Sequence, residues 1–262
     1  MHRRRNLFWG GVLIVLAGLL LLKQMGAIVG DIFGYFWPIL IIAYGIWLIT
    51  GFFARNRPAE GEQVSIPHEG ATSAIVKLNH GAGRLTLQSG AGSGEIVNGT
   101  FGNGLSHTSH IENGRMEVKL STFQQAWAWW PGESMDWDIR LNRDIPLSLK
   151  IDSGASASIL DLRDLRVTDL EIRTGASSTQ LTLPTNAGNT HVDIDTGASS
   201  LKVNVPSGVA ASIRVKRGIT SVNVNPRFPR LDGDLYQSTD YGNAANRVDM
   251  TINAGVGSIE VN

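Results

Sequence analysis

The sequence predicts a membrane-anchoring α-helical hairpin followed by an all-β domain, and three observations support this fold class. Two long apolar stretches lie within the first 57 residues. A short pattern centred on a glycine returns about every 21 residues through much of the remaining chain. The sequence contains no cysteine, which excludes disulfide scaffolds, thiolate catalysis and cysteine-based zinc sites.

The charges separate the same two parts. The chain has 23 basic and 23 acidic side chains, and this balance gives no general reason to expect a nucleic-acid partner. Residues 1–57 hold six Lys or Arg and one acid, Asp31, so residues 58–262 hold 17 basic and 22 acidic side chains. A basic apolar segment suits a lipid bilayer, whereas a mildly acidic, glycine-rich segment suits water. We therefore predict two domains, 1–57 and 58–262.

The first domain is predicted to cross a lipid bilayer twice. A spanning helix needs about 20 apolar residues, and residues 33–53 meet that length without help. Residues 7–22 carry no charge, and they reach the length of a spanning helix when Lys23 is included with its side chain extended toward the headgroups. A cleaved signal peptide explains residues 7–22 less well, because no small-residue cleavage site follows Leu22 and a second apolar segment comes directly after it. The predicted helices cover about 7–25 and 33–53.

Basic residues near the helix ends predict the orientation in the membrane. Three arginines precede the first helix and two follow the second, against the single Lys23 in the link. The positive-inside rule then places the N-terminus and the β domain in the cytoplasm of a multi-pass membrane protein.

Each repeat of the second domain has an apolar–polar–apolar triplet that ends three residues before a glycine. The apolar pairs of four repeats are Leu149/Ile151, Leu170/Ile172, Val192/Ile194 and Ile213/Val215. This alternation is typical of a half-buried strand. The glycine is expected to turn the chain, with a positive φ as one reason for its identity. The predicted corner glycines are Gly81, Gly154, Gly175, Gly197, Gly218 and Gly255.

One such unit cannot bury its own apolar face, whereas stacked units can. We therefore predict a right-handed β-solenoid, similar to a single-stranded β-helix, with two short strands in each coil of about 21 residues. Ile151, Ile172, Ile194 and Val215 should then lie in one buried file. The alternative is an antiparallel β-sandwich, which has no reason to keep a 21-residue register.

Two insertions interrupt the repeat. The first, about 121–138, is rich in tryptophan, and the second, 227–247, is polar with Gly and Asn turns. The tryptophans could contact the membrane interface or a partner protein, where this side chain is favoured. They could also fold back to cap the first coils. As a candidate interaction patch they are Trp127, Trp129, Trp130 and Trp137.

No motif indicates catalysis. The GAGSG segment at 90–94 lacks the Lys-Ser/Thr that completes a phosphate-binding loop, and it is interpreted as a flexible turn. His107 and His110, with His68 and His80 upstream, have no helix to bring them to one face. We therefore expect no enzyme, no catalytic residue, no cofactor and no metal.

Two features of this sequence resemble a known family. The stretch RRRNLFWGGVLIVLAGLLLL, a short link and WPILIIAYGIWLI resemble the transmembrane region of LiaI/LiaF-type bacterial cell-envelope stress proteins. The body with its SGAS and TGAS corners resembles the C-terminal domain of LiaF and the related toast-rack adhesin-like domains. The resemblance implies a non-enzymatic regulator or scaffold. Its best-known members restrain a membrane sensor kinase and are thought to have more than two spans.

Two hypotheses about function follow. In the first, the protein is a membrane-anchored regulator of the envelope stress response, and its β domain docks on a sensor kinase or another envelope protein. In the second, it is structural, and solenoid ends stack between copies into a membrane-bound polymer or adhesin-like scaffold. The stretch Ile252–Val261 reaches the last residues without an obvious cap, which keeps this homo-oligomer open.

Overall fold

Thirteen β-strands form one mixed sheet in the part of the chain that the structure, a computed structural model, describes: residues 61–102, 104–122 and 135–262. All these residues belong to one compact unit. The strands are β1 Glu62–Pro67, β2 Ser73–Ser89, β3 Glu95–Phe101, β4 Leu105–Glu112, β5 Arg115–Thr122, β6 Trp137–Leu141, β7 Leu147–Asp161, β8 Val167–Thr182, β9 Asn189–Asn204, β10 Ala210–Val224, β11 Arg230–Asp232, β12 Leu235–Gln237 and β13 Arg247–Val261.

Three of the sequence predictions fall outside the described residues. These are the two membrane helices, the tryptophans Trp127, Trp129 and Trp130, and the domain boundary at residue 57. Within residues 61–102, 104–122 and 135–262, no helix has the length and apolar character that a membrane span requires.

Six long strands stack in parallel as rungs, in the order β2, β7, β8, β9, β13 and β10. Each rung is one continuous strand of 15 to 17 residues, where two short strands were predicted. In β7 the buried side chains switch from odd to even positions between Ile151 and Ser156, so the strand bends at Gly154. The parallel pairing fits a β-solenoid-like fold and rules out the antiparallel sandwich for this stack.

The predicted buried file is present. Ile151 pairs in register with Ile172, and Ile172 with Ile194. Leu78 extends the file on one side, and Ile252 and then Val215 extend it on the other. All six side chains are at most 2% exposed. Apolar burial along this file is the main stabilising contribution that the repeat provides.

The order of the rungs departs from the order of the chain at one point. Strand β13, the last in sequence, lies between β9 and β10 and pairs in parallel with both. The link from β9 to β10, residues 205–209, must therefore cross two layers, or about 10 Å at 4.8 Å each. Five residues span that distance easily. The long 225–246 segment then gives the chain room to return and fill the gap.

The N-terminal end of the stack is antiparallel, which explains the loss of the 21-residue register there. Strands β5 and β6 pair with the two halves of β2 and so form one split rung. Strands β4 and β3 pair with them in the opposite direction. The β4–β5 hairpin turns at Asn113 and Gly114, with φ of 50° and 74°. Positive φ at both central residues is the requirement of a type I′ turn.

The interior next to the bends is polar. Ser156 and Thr196 are buried there. The Ser156 hydroxyl lies 3.0 Å from that of Ser153, and Thr174 donates to Thr196 at 3.1 Å. Because these hydroxyls bond one another within and between rungs, their burial costs little.

Candidate interaction surfaces

The corner glycines form a ladder in which each rung touches the next. A Cβ added to Gly154 would lie 2.6 Å from the carbonyl oxygen of Gly81, and one on Gly255 would lie 2.6 Å from that of Gly197. The same contact recurs at Gly175, Gly197 and Gly218, at 2.5 to 2.9 Å. None of these residues is among those with positive φ. Positive φ is therefore not the reason for these glycines, whereas the close stacking that small corner residues allow is: the neighbouring backbone leaves no room for a Cβ.

A shallow groove of about 920 Å³ follows this ladder along the stack. Its charged lining comes from the residues one or two positions before the glycines, and these alternate in sign. Asp195 accepts a hydrogen bond of 2.6 Å from the Asn253 amide, and Arg173 pairs with Glu171. The charged lining residues are Asp152, Arg173, Asp195, Lys216 and Arg217. Mixed charge in an open groove favours no single class of small ligand.

Ion pairs connect neighbouring rungs on the outer face. Lys150 Nζ lies 2.9 Å from Glu171 Oε2, and this hydrogen bond is the main cause of the lowered pKa of Glu171. Lys202 and Glu260 form a similar pair at 3.2 Å. Such exposed pairs contribute little to stability, because water screens their charges. The two ion pairs belong to a solvated surface that carries both positive and negative charge.

Trp137 belongs to the core and cannot contribute to a surface patch as predicted. It is 1% exposed on β6. Its ring packs edge-on against Phe101 at 5.2 Å and tilted against His80 at 5.1 Å. Trp127, Trp129 and Trp130 lie outside the described residues, so the patch stays a prediction for those three.

His80, considered above only as one of four scattered histidines, is a buried titratable residue. It is 1% exposed, and burial lowers its pKa, although hydrogen bonding to Met135 and the charge of Asp136 act in the opposite direction. Its Nε2 atom lies 2.9 Å from the Met135 carbonyl oxygen. The signal in the sequence was its place one residue before Gly81, where the next three rungs have the smaller residues Ser153, Thr174 and Thr196.

His80 is expected to make the domain less stable in mild acid. Because its pKa is lowered in the folded state, the unfolded chain binds the additional proton once the pH falls below about 6.5. Stability is then lost by up to about 1.4 kcal/mol per pH unit, until the folded-state pKa is reached. Urea unfolding of residues 59–262 between pH 7.5 and 5, roughly the range in which histidine titrates, should show this slope.

The matched comparison is His80→Gln against His191→Gln, because His191 is an exposed histidine on β9. The first variant should reduce the slope and the second should leave it unchanged. An identical slope in both variants and in the original chain would assign the acid sensitivity to other groups.

His107 and His110 are both exposed on β4, and His68 lies in the turn after β1. Among the residues that the structure describes, no group of three or more His, Asp or Glu side chains is arranged to hold a metal ion.

The fold and its surfaces define a class of protein: a stacked β-solenoid-like domain whose outer faces are polar and whose glycine corners are closely packed. Comparison with known protein families shows which family of that class this chain matches. The chain belongs to the toast-rack family, since the model described as "N-terminal domain of toast_rack, DUF2154" matches residues 55–204. A second model, the "LiaI-LiaF-like transmembrane region", matches residues 7–49. The protein is therefore membrane-associated through its N-terminal region.

One solved structure resembles this fold. It is the 1.95 Å crystal structure of a protein from Clostridium sporogenes ATCC 15579 that carries the name "putative cell adhesion protein". The two chains are 22% identical, with a TM-score of 0.72, and the match covers 78% of this chain and 99% of the other. A search of curated proteins found no match. At this identity the likeness shows the shared fold alone.

Proposed function

We propose that this protein is a membrane-anchored, non-enzymatic regulator of the bacterial cell-envelope stress response that acts by protein–protein contact through its β domain. The observation that carries the proposal is the order of two matched regions in one chain. A LiaI-LiaF-like transmembrane region at 7–49 is followed after five residues by a toast-rack domain at 55–204.

The proposed arrangement has two spans, with both the N-terminus and the β domain in the cytoplasm. The five arginines outside the two apolar stretches and the single lysine between them support this orientation. A topology reporter fused after Asn262 should be active only in its cytoplasmic form. Activity of the periplasmic reporter at this position would place the β domain outside.

The rung stack suits a role in presenting contact surfaces. The described residues on either side of the Trp-rich insertion lie in the β domain, next to the two halves of the split rung, β5 and β6. Strand β5 ends at Thr122, and the Met135 carbonyl oxygen lies 2.9 Å from His80 Nε2. Variable loops on a rigid scaffold commonly carry binding function. The proposed partner is a membrane sensor kinase or another envelope protein.

The non-enzymatic part of the proposal rests on where the titratable groups lie. His80 packs in the core against Trp137, and Glu171 pairs with Lys150 on a solvated face. Neither arrangement combines a nucleophile, a base and a cavity as a hydrolytic site requires.

The regulatory role predicts a change in signalling when the protein is removed. Deleting its gene in the bacterium that carries it should change the output of an envelope-stress reporter by several-fold during treatment with a cell-wall antibiotic. The full chain should restore the original output, whereas residues 1–60 alone should not, because they lack the proposed contact surface.

The variant with Trp127, Trp129 and Trp130 all replaced by alanine tests the insertion in the same assay. If it fails to restore the output while Ser178→Ala, a change at an exposed position of β8, succeeds, the insertion is the contact. Full restoration by residues 1–60 would contradict the role of the β domain.

A structural scaffold is the second candidate. The name of the Clostridium sporogenes protein refers to cell adhesion. The corners of the last two rungs of the stack also carry exposed apolar side chains, Val256 on β13 and Ile219 on β10. Filaments or sheets formed by the purified full chain would favour this candidate over the regulator.

A further inference from the structure

The outermost rung, β10, has an edge that is covered along only half of its length. Strand β12 pairs with Ser212, Ile213 and Arg214 on the first half. Beyond the corner, no described strand pairs with the outer side of residues 218–224. This open half has the sequence GITSVNV, which contains no charge and no proline. Charges and proline are the usual means by which proteins prevent an edge strand from pairing.

The other outer edges carry those protective features. Strand β1 contains Glu62 and Pro67, and β4 contains Glu112. The covered half of β10 carries Arg214 and Lys216. Residues 218–224 combine an open backbone with uncharged side chains, and four of them are β-branched: Ile219, Thr220, Val222 and Val224.

The core is also incomplete behind this edge. Val222 and Val224 are only partly buried, although the residues paired with them on β13, Ile259 and Val261, are 2% and 0% exposed. At the corner beside them, Ile219 is 83% and Val256 is 53% exposed. The other rungs have alanine at this position: Ala82, Ala155, Ala176 and Ala198. Apolar surface thus increases where the stack ends.

We propose that the open half of β10 pairs antiparallel with the same strand of a second copy of this chain. A two-fold axis through Val222 places Val224 opposite Thr220, so that the inward-facing side chains of both copies lie on one face. The two cores then continue into each other. Identical neutral strands pair without the cost of like charges opposite each other. The contact is isologous and closes at two copies.

Membrane attachment makes this small contact sufficient. A seven-residue edge buries far less than the roughly 1,600 Å² of a typical stable interface, so separate domains in solution should associate weakly. Chains held in one bilayer meet at a high effective concentration, which favours the pair without any new contact. The inference concerns the assembly of the protein and does not depend on its regulatory role.

Cysteine crosslinking of the full chain in lipid vesicles tests the pairing, because the chain has no cysteine of its own. Val222→Cys places the two thiols opposite each other, and Ser178→Cys is the control on an exposed position in the middle of the stack. A short bis-maleimide should crosslink the first variant at least about tenfold more than the second. Both variants should first show the circular dichroism spectrum of the original chain.

A charge exchange then tests the register. Ser221 and Asn223 are exposed and face each other across the proposed axis. Adding Ser221→Lys and Asn223→Lys to the Val222→Cys chain should abolish crosslinking, because the lysines of the two copies then oppose each other. Mixing that chain with a second Val222→Cys chain that carries Ser221→Glu and Asn223→Glu should restore it.

Equal crosslinking of the Val222→Cys and Ser178→Cys chains overturns the proposal. So does a pair that persists with both lysines, or a product containing a different protein. The stress-reporter assay reads the regulatory role separately, so a failure of either proposal can be recognised on its own.

Discussion

Gly255→Ala is expected to destabilise the β domain by about 2 to 3 kcal/mol, the upper part of the range for overpacking a rigid site. The added Cβ would lie 2.6 Å from the carbonyl oxygen of Gly197, and backbone on the neighbouring rung cannot move aside like a flexible side chain. Relief would require β13 to separate from β9 at the corner, which disturbs the pairing on both sides of it. Urea unfolding of residues 59–262 measures the loss.

Gly242→Ala is the matched control. Gly242 lies in the loop before β13, no atom lies within 4 Å of its Cβ position, and its φ is not in the left-handed region. The same change of chemistry should therefore leave stability within about 0.5 kcal/mol of the original. Equal losses in both variants would show that the glycine is needed for its backbone freedom and that the ladder contact is irrelevant.

Ile252→Ala is expected to cost about 3 to 4 kcal/mol, within the usual range for truncating a buried isoleucine. Its side chain is 0% exposed because β9 and β10 cover it on both sides. The cavity would lie inside the stack between Ile194 and Val215, where paired strands limit any collapse. The loss is again measured by urea unfolding.

Val224→Ala gives the comparison, since this residue is partly buried on the outermost rung and should cost about 1 kcal/mol or less. The difference between the stability losses of Ile252→Ala and Val224→Ala distinguishes the observed order of the rungs from a stack built in the order of the chain. If β13 formed the end of the stack, Ile252 would lose its outer neighbour and become the less costly position. A larger loss for Val224→Ala than for Ile252→Ala would contradict the structure.

The repeat itself was predictable because its signal is local. The alternation around Ile172 and the glycine three residues later recur at a constant spacing, and parallel stacking is the arrangement that buries such identical units. The antiparallel N-terminal end was not predictable in this way. Its β4–β5 hairpin depends on the Asn113-Gly114 turn, a two-residue signal that lies outside the repeat.

The interaction patch shows the limit of composition. Four tryptophans close together in sequence indicated one surface, but Trp137 is on β6 in register with Leu85 and points into the core beside His80. The alternation of Trp137, Ile139 and Leu141 is typical of a strand with these residues on one face. Which neighbours that face would meet depends on pairing with β2 and β3, distant in the chain.

By itself the sequence determined the parallel stack and the buried file, because apolar period and glycine spacing are properties of each repeat alone. Tertiary structure decided the position of β13 between β9 and β10, the reason for the corner glycines and the open edge of β10. All the rungs share one pattern, so that pattern fits any order of stacking. Only the lengths of the connections and the contacts between rungs select one order, and that order leaves the uncharged half of β10 at the end of the stack.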